Sequence, residues 1–330
     1  MTTAILHIGQ HKTGSSSIQL TLSLLDPATA SSNFRYVKSP FRNHSMIISS
    51  AFGDIKNLSY YRKLKFGNGI PLRRMNRSEA RKILRSEVKK AQDRDQKIVI
   101  SAEDFCALEH SEVQEARVFF EECGVSNFKV FGYFRGVQRW SNSFSQQIIK
   151  QGNVTLENVL SSPPYPMYRE YFEKFLNVFG AANVSLNPFD KNCLFEGCVV
   201  RDFLKRAEMV VSNEHFSVEN TNDSLTAYQV QFASFMTQIY RENGWKHRGK
   251  ISPFIKWIGQ DHDRTKFFIK PSVISKAIEL AEADVEWLVG VTGVDRNFLT
   301  EQRDRDCDIS YNAHIRKTDL ARLAMLANDA

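Results

Sequence analysis

Cysteines are few and unpatterned in this 330-residue chain. Cys106, Cys123, Cys193, Cys198 and Cys307 are odd in number and never spaced as Cys-x-x-Cys, which argues against a disulfide framework or a structural zinc site. The eight histidines are equally dispersed. With no His-Glu-x-x-His pair and no acidic calcium loop, no resident metal is expected. No apolar run approaches the roughly 20 residues needed to cross a bilayer. The opening residues, Met1 to Gly9, lack the basic and apolar regions of a secretory signal. A cytoplasmic protein without a transmembrane segment is therefore expected. Internal repeats and long Pro, Gly or Ser linkers are also missing. One domain over 1–330 is favoured, although length alone suggests two.

Aromatic residues are plentiful, with 24 Phe, 10 Tyr and 4 Trp, and hydrophobic residues make up 42% of the chain, enough for a large core. Most Phe falls at apolar helical or strand positions, so no aromatic-plus-basic stripe for nucleic acid emerges. Trp140, Trp245, Trp257 and Trp287 read as core or interface residues, although a purine ligand would need one aromatic against it. The formal charge is +7, from 44 basic and 37 acidic residues. Residues 73–97 hold ten of the basic and four of the acidic groups, so nearly all the excess sits there. Such a helix face is usually solvated; its alternative use is to hold an anionic acceptor or surface. Lys246-His-Arg-Gly-Lys250 reads as a solvated basic turn.

Strand and helix patterns alternate through the first half. Ala4 to Ile8 is a short apolar strand, followed by the small-residue turn Gly9–Ser17 and an apolar helix over Ile18–Leu25. A helix over Ser78–Asp93 precedes the strand Lys97–Ser101. Ser111-Glu-Val-Gln114 has the form of a capping box opening a helix that stops at Gly124. Phe128–Phe134 is β-rich and leads to a helix through Lys150. Helices are expected over 165–179, 197–207, 225–242 and 272–289, with a short strand at 184–187. The fold class is therefore α/β, a P-loop-like parallel sheet flanked by helices, with a largely helical C-terminal half. Open parallel sheets bind ligands beyond the carboxyl ends of their strands. That rule gathers the loops at Gly9–Ser17, Ser101–Phe105 and Arg135 onto one edge.

The first of these loops has the chemistry of an oxyanion cradle. Its glycines allow close approach of backbone amides, its hydroxyls and Lys12 add donors, and the next helix presents its positive end. In a Walker A loop the lysine follows the second glycine. Here Lys12 precedes Gly14, which weakens a kinase or ATPase reading.

His7-Ile-Gly-Gln-His-Lys-Thr-Gly-Ser-Ser-Ser-Ile-Gln19 resembles the 5′-phosphosulfate loop of the sulfotransferases that use 3′-phosphoadenosine 5′-phosphosulfate (PAPS), and most closely that of soluble bacterial members. In that family an arginine ending a strand and a serine eight positions later complete the 3′-phosphate site. Arg135 and Ser143 stand at that spacing, although Arg135-Gly136-Val137 replaces the usual Arg-Asp-Pro. Asn187-Pro-Phe-Asp190, Val200–Leu204 and Asn222–Leu225 are looser likenesses.

The resemblance implies PAPS as donor, no required metal, and transfer of a sulfuryl group to a hydroxyl of a carbohydrate, glycolipid or similar polar acceptor. It implies that Lys12 holds the bridging oxygen and stabilises the leaving group. Thr13, Gly14, Ser15, Ser16 and Ser17 would cradle the 5′-phosphosulfate, and Arg135 with Ser143 would hold the 3′-phosphate. A general base must still take the acceptor's proton. Glu103, just past a strand end, is the lead candidate, with His44 and His11 as competitors and Asp104 as a neighbouring carboxylate. Two other readings remain: a small-molecule kinase or nucleotide phosphotransferase, and a non-catalytic binder of anionic polymers.

Overall fold

A computed structural model describes residues 2–25, 32–53, 75–211, 224–244 and 265–302, together with Val218, Ile255 and Ile258. Arg73, Arg74, Asn222, Asp223, Trp245, Trp257, the basic turn 246–250 and Cys307 lie outside the described residues. The chain divides into two compact units: residues 1–136, 167–222 and 283–299 form the first, and 137–166, 223–282 and 300–330 the second.

In chain order the elements are β1 (Thr2–His7), α1 (Ser15–Leu24), β2 (Phe34–Tyr36), α2 (Ser45–Phe52), α3 (Arg77–Gln92), β3 (Lys97–Ser101), α4 (His110–Glu122), β4 (Val125–Phe134) and α5 (Val137–Lys150). They continue with α6 (Leu156–Ser161), α7 (Tyr168–Phe179), β5 (Val184–Pro188), α8 (Val199–Arg206), α9 (Ala227–Glu242), α10 (Pro271–Leu280), α11 (Glu282–Thr292) and α12 (Arg296–Thr300).

The first unit carries a five-stranded, all-parallel sheet in the order β2-β3-β1-β4-β5. Ala4, Ile5 and Leu6 on the central strand are all buried, as expected of a strand covered on both faces. Alternation separates the two layers. Ile5, Val99, Tyr36, Phe131 and Tyr133 pack with Ile18 and Leu22 of α1 and Val200, Phe203 and Leu204 of α8. On the opposite face Phe172 of α7 lies so close to Gly132 that a Cβ there would sit 2.8 Å from its ring. Phe52 of α2 meets Phe119 and Phe120 of α4. Arg35 of β2 points to this second face and pairs with Glu87 of α3 at 2.8 Å.

The second unit is helical and is tied through side chains that cap backbone groups. Asn142 Oδ1 accepts the Ile269 N–H at 2.6 Å, and Gln146 Oε1 accepts that of Leu225 at 2.8 Å. Thr226 forms a capping box with Gln229 at the start of α9. Trp140 is buried and stacks on Phe144 with ring centroids 4.5 Å apart, a core role.

Several expectations shift. α1 starts at Ser15, so the hydroxyl run forms its first turn instead of the loop before it. The start of α4 is N-capped at Glu109, whose N–H donates to Glu112 at 2.9 Å; Ser111 and Gln114 lie inside the helix. The pattern over 272–289 is two helices, divided at Ala281. The basic face of α3 is largely occupied. Arg77 and Arg81 both pair with Glu115, Lys89 pairs with Asp93 and Lys90 with Glu87. Arg81 and Arg85 also lie over the Phe119 ring, at 5.6 and 5.3 Å. These contacts give the local charge excess a packing role.

Candidate functional site

The site lies at the carboxyl ends of β1, β3 and β4. β1 is followed by α1 on one face of the sheet, whereas its neighbour β3 is followed by α4 on the other. The connections leaving these two parallel strands therefore run in opposite directions across the sheet, the position where open parallel sheets form a crevice. His7 and Ser101 are in register at the top of the two strands, so residues a few positions beyond each become neighbours.

The loop after β1 first continues along β4. The Ile8 and Gln10 N–H groups donate to the Phe131 and Tyr133 carbonyls at 3.0 and 2.9 Å, and Tyr133 N–H donates to Gly9 O at 2.7 Å. The chain then coils through left-handed conformations at Lys12 (φ 69°) and Gly14 (φ 79°). Gly14 has no substitute: an added Cβ would lie 2.8 Å from Val199 Cγ1 and 2.9 Å from the Phe189 ring. Thr13 Oγ1 donates to Gln10 O at 2.5 Å, and Ser15 Oγ to the same carbonyl at 3.4 Å. These two hydroxyls close the loop on itself, so what Thr13 and Ser15 offer an anion is main-chain N–H. Ser16 is exposed, Lys12 and Gly14 are half-buried, and Ser17 is buried. Gly14 gives α1 no side-chain cap, which leaves the helix with the uncapped positive end suited to an anion.

Arg135 ends the adjacent strand β4. Its guanidinium lies 4.5 Å from the centroid of the Phe189 ring, the same ring that packs on Gly14. Phe189 is held by its own N–H on the Phe134 carbonyl, and Tyr168 donates its hydroxyl to the Arg135 carbonyl. Phe189 thus forms a common wall between the loop and the arginine. No side chain fits at Gly136, where an added Cβ would lie 2.6 Å from the Phe298 carbonyl oxygen.

The third side is the short 3₁₀ turn Glu103–Ala107 after β3. Asp104 N–H donates to Ser45 Oγ at 3.1 Å, and Cys106 Sγ donates to Glu103 O at 2.8 Å. His11 reaches across from the first loop. Its Nε2–H donates to Asp104 Oδ1 at 3.0 Å, Glu103 Oε1 lies 3.7 Å from the same nitrogen, and Cys106 Sγ is 3.7 Å from Nδ1.

His44 does not face this crevice with a usable nitrogen. Ser101 N–H donates to its Nδ1 at 3.2 Å, and its Nε2–H donates to the Val37 carbonyl at 2.9 Å. Burial holds its pKa down to about 4. Its role as a base is therefore replaced by one of joining α2 to the sheet. Beside it His7 is wholly buried, 2.7 Å from Ser101 Oγ, with its pKa lowered to about 3 by desolvation. Ser143 lies half-buried on α5 and belongs to the second unit.

Three residues here had no role in the sequence reading. Phe189 was visible within Asn187-Pro-Phe-Asp190, but nothing in that run says which wall it forms. Cys106 reads as an isolated cysteine. Gln10 is fully buried, and neither its side-chain Oε1 nor its Nε2 has a hydrogen-bond partner among the described residues. The constellation has cationic and amide donors on the β1–β4 side and carboxylates on the β3 side. It can take an anion on one side and a proton on the other. No family, curated protein or solved structure matches the chain.

Proposed function

We propose that this edge binds PAPS on a P-loop-like α/β fold and that the protein transfers its sulfuryl group to a hydroxyl of a carbohydrate, glycolipid or similar polar acceptor. The supporting observation is the placement of the Lys12 loop and Arg135 at the carboxyl ends of adjacent parallel strands with Phe189 between them. PAPS supplies an activated sulfuryl group whose leaving group is 3′,5′-bisphosphate. Lys12 and the first amides of α1 bind the 5′ end and hold negative charge as it develops. Arg135 offers its planar fork to the 3′-phosphate. Glu103 accepts the proton that an acceptor hydroxyl gives up as it becomes a sulfate ester. The residues fit the donor: two cations and an uncapped helix end suit a polyanion.

Calorimetry tests this reading against a kinase. The wild type should bind 3′-phosphoadenosine 5′-phosphate more tightly than ATP, and EDTA should not change that. A magnesium-dependent preference for ATP would reverse the assignment. Lys12→Ala and Arg135→Ala should each weaken bisphosphate binding by roughly 10- to 100-fold, the loss typical of a charged hydrogen bond, and abolish transfer of labelled sulfate. Full transfer by both variants would overturn the proposal. A polyanion binder without chemistry would instead show steep salt dependence and no transfer.

A further inference from the structure

We infer that His11 is the positioning residue of this edge. From inside the phosphate loop it fastens the carboxylate turn after β3, so the segment that holds the donor also aims the group that receives the acceptor's proton. The inference rests on the sulfuryl-transfer reading above.

The geometry separates the roles of the three side chains. The His11 side chain is 1% exposed, and its two nitrogens face the carboxylates on one side and the Cys106 sulfur on the other. It has no open path to an acceptor. Asp104 is held twice, by the imidazole at its carboxylate and by Ser45 at its main-chain N–H. Glu103 differs. Its carboxylate keeps 19% exposure and lies 3.7 Å from Nε2, within ion-pair range but beyond hydrogen-bond length. The imidazole N–H thus stands beside that carboxylate at a longer distance than its bond to Asp104. The loops also touch through their backbones, since a Cβ on Gly9 would sit 3.3 Å from Glu103 Cα. A shift in the phosphate loop is therefore passed to Glu103 through both the backbone and the imidazole.

The test compares His11→Ala, His11→Gln and the double variant His11→Ala/Asp104→Asn with wild type. Each is measured for bisphosphate binding, for bisphosphate release from PAPS with water as acceptor, and for amide hydrogen exchange over 103–107. In that reaction the water oxygen bonds to sulfur, the bond from sulfur to the bridging oxygen breaks, and Glu103 takes the water's proton. A misaimed base costs on the order of 10² in rate. His11→Ala should therefore lower turnover at saturating PAPS by roughly that factor, with KM and bisphosphate affinity within about threefold of wild type and faster exchange in the turn. His11→Gln, whose amide N–H also reaches Asp104, should restore slow exchange and most of the turnover. The double variant should fall no further than His11→Ala, because both changes cut one linkage.

Wild-type turnover in His11→Ala, failure of glutamine to rescue, or a loss of bisphosphate affinity as large as the loss of turnover would each overturn the inference. A wild type that binds no bisphosphate would overturn the sulfuryl-transfer reading instead. The exchange rates of the alanine and glutamine variants would then still decide whether His11 fastens the turn.

Discussion

Three buried histidines stand within one corner of the sheet, and they do different work because their neighbours differ. His7 and His44 lie in the layer beneath the loops, where their neighbours are a serine hydroxyl, backbone groups and aromatic rings. His11 lies one layer out, between two carboxylates and a thiol supplied by another loop. Burial alone therefore does not mark a functional imidazole in this fold. The inner pair is desolvated and stays neutral, which suits the joining of strands. The outer ring stands beside the carboxylates of another loop, which suits the linking of the two loops.

The largest expected consequence of this contrast is sensitivity to acid. An imidazole that stays neutral in the folded chain, but takes a proton near pH 6.5 when unfolded, makes the unfolded state the better proton binder. Stability is then complete above pH 6.5 and falls as pH drops toward the folded values of about 3 for His7 and about 4 for His44. By pH 4.5 each should have cost roughly 2–3 kcal/mol. Urea midpoints measured across pH 7 to 4.5 should show this fall, and His44→Gln should remove about half of its steepness. An unchanged pH dependence in that variant would mean that His44 is not held neutral.

The outer layer is read by changing Glu103, the proposed proton acceptor. Glu103→Gln should keep bisphosphate affinity within about threefold while turnover falls by on the order of 10². Wild-type turnover would shift the base role to Asp104.

Much of the frame behind this contrast was legible. β1, β3 and β4 announce themselves as apolar runs, β5 as a short alternation of apolar and polar residues, and α3 and α4 as helical periods. β2 escaped because three residues carry no period, and α2 because Ser45–Phe52 mixes serines with apolar residues too evenly to show a face. The division at Ala281 is hidden in a continuous apolar pattern. Arg135 and Glu103 could be named because each stands just past a strand end, and Lys12 because it sits in the small-residue loop that follows β1. Their assembly could not. His11 and Asp104 are 93 positions apart, and what joins them is the parallel register that sets His7 beside Ser101. A pairing register depends on tertiary packing that one sequence does not display.

The cations of α3 sharpen the comparison from outside the site. Arg81 covers Phe52 and Phe119, donates to the Ala51 carbonyl at 3.1 Å and pairs with Glu115. Arg81→Ala should cost about 1 kcal/mol of stability through lost packing and a half-exposed ion pair. Bisphosphate binding should not change. A selective loss of acceptor binding with stability intact would return this helix to the role of an anionic acceptor surface.

The smallest effect belongs to Ser143, whose place in the 3′-phosphate site comes from its likeness to the family spacing. A neutral hydroxyl contributes one hydrogen bond, worth roughly 0.5–1.5 kcal/mol. Ser143→Ala should therefore weaken bisphosphate binding only about 3- to 10-fold, and should leave affinity for adenosine 5′-phosphosulfate, which lacks the 3′-phosphate, unchanged. The same pair of ligands should separate Arg135→Ala far more strongly, because a guanidinium meets that phosphate with charge and two parallel donors. Equal losses for both ligands in Ser143→Ala would mean that the serine acts through the packing of α5, where Phe144 beside it is buried. The 3′-phosphate would then be read by Arg135 without it.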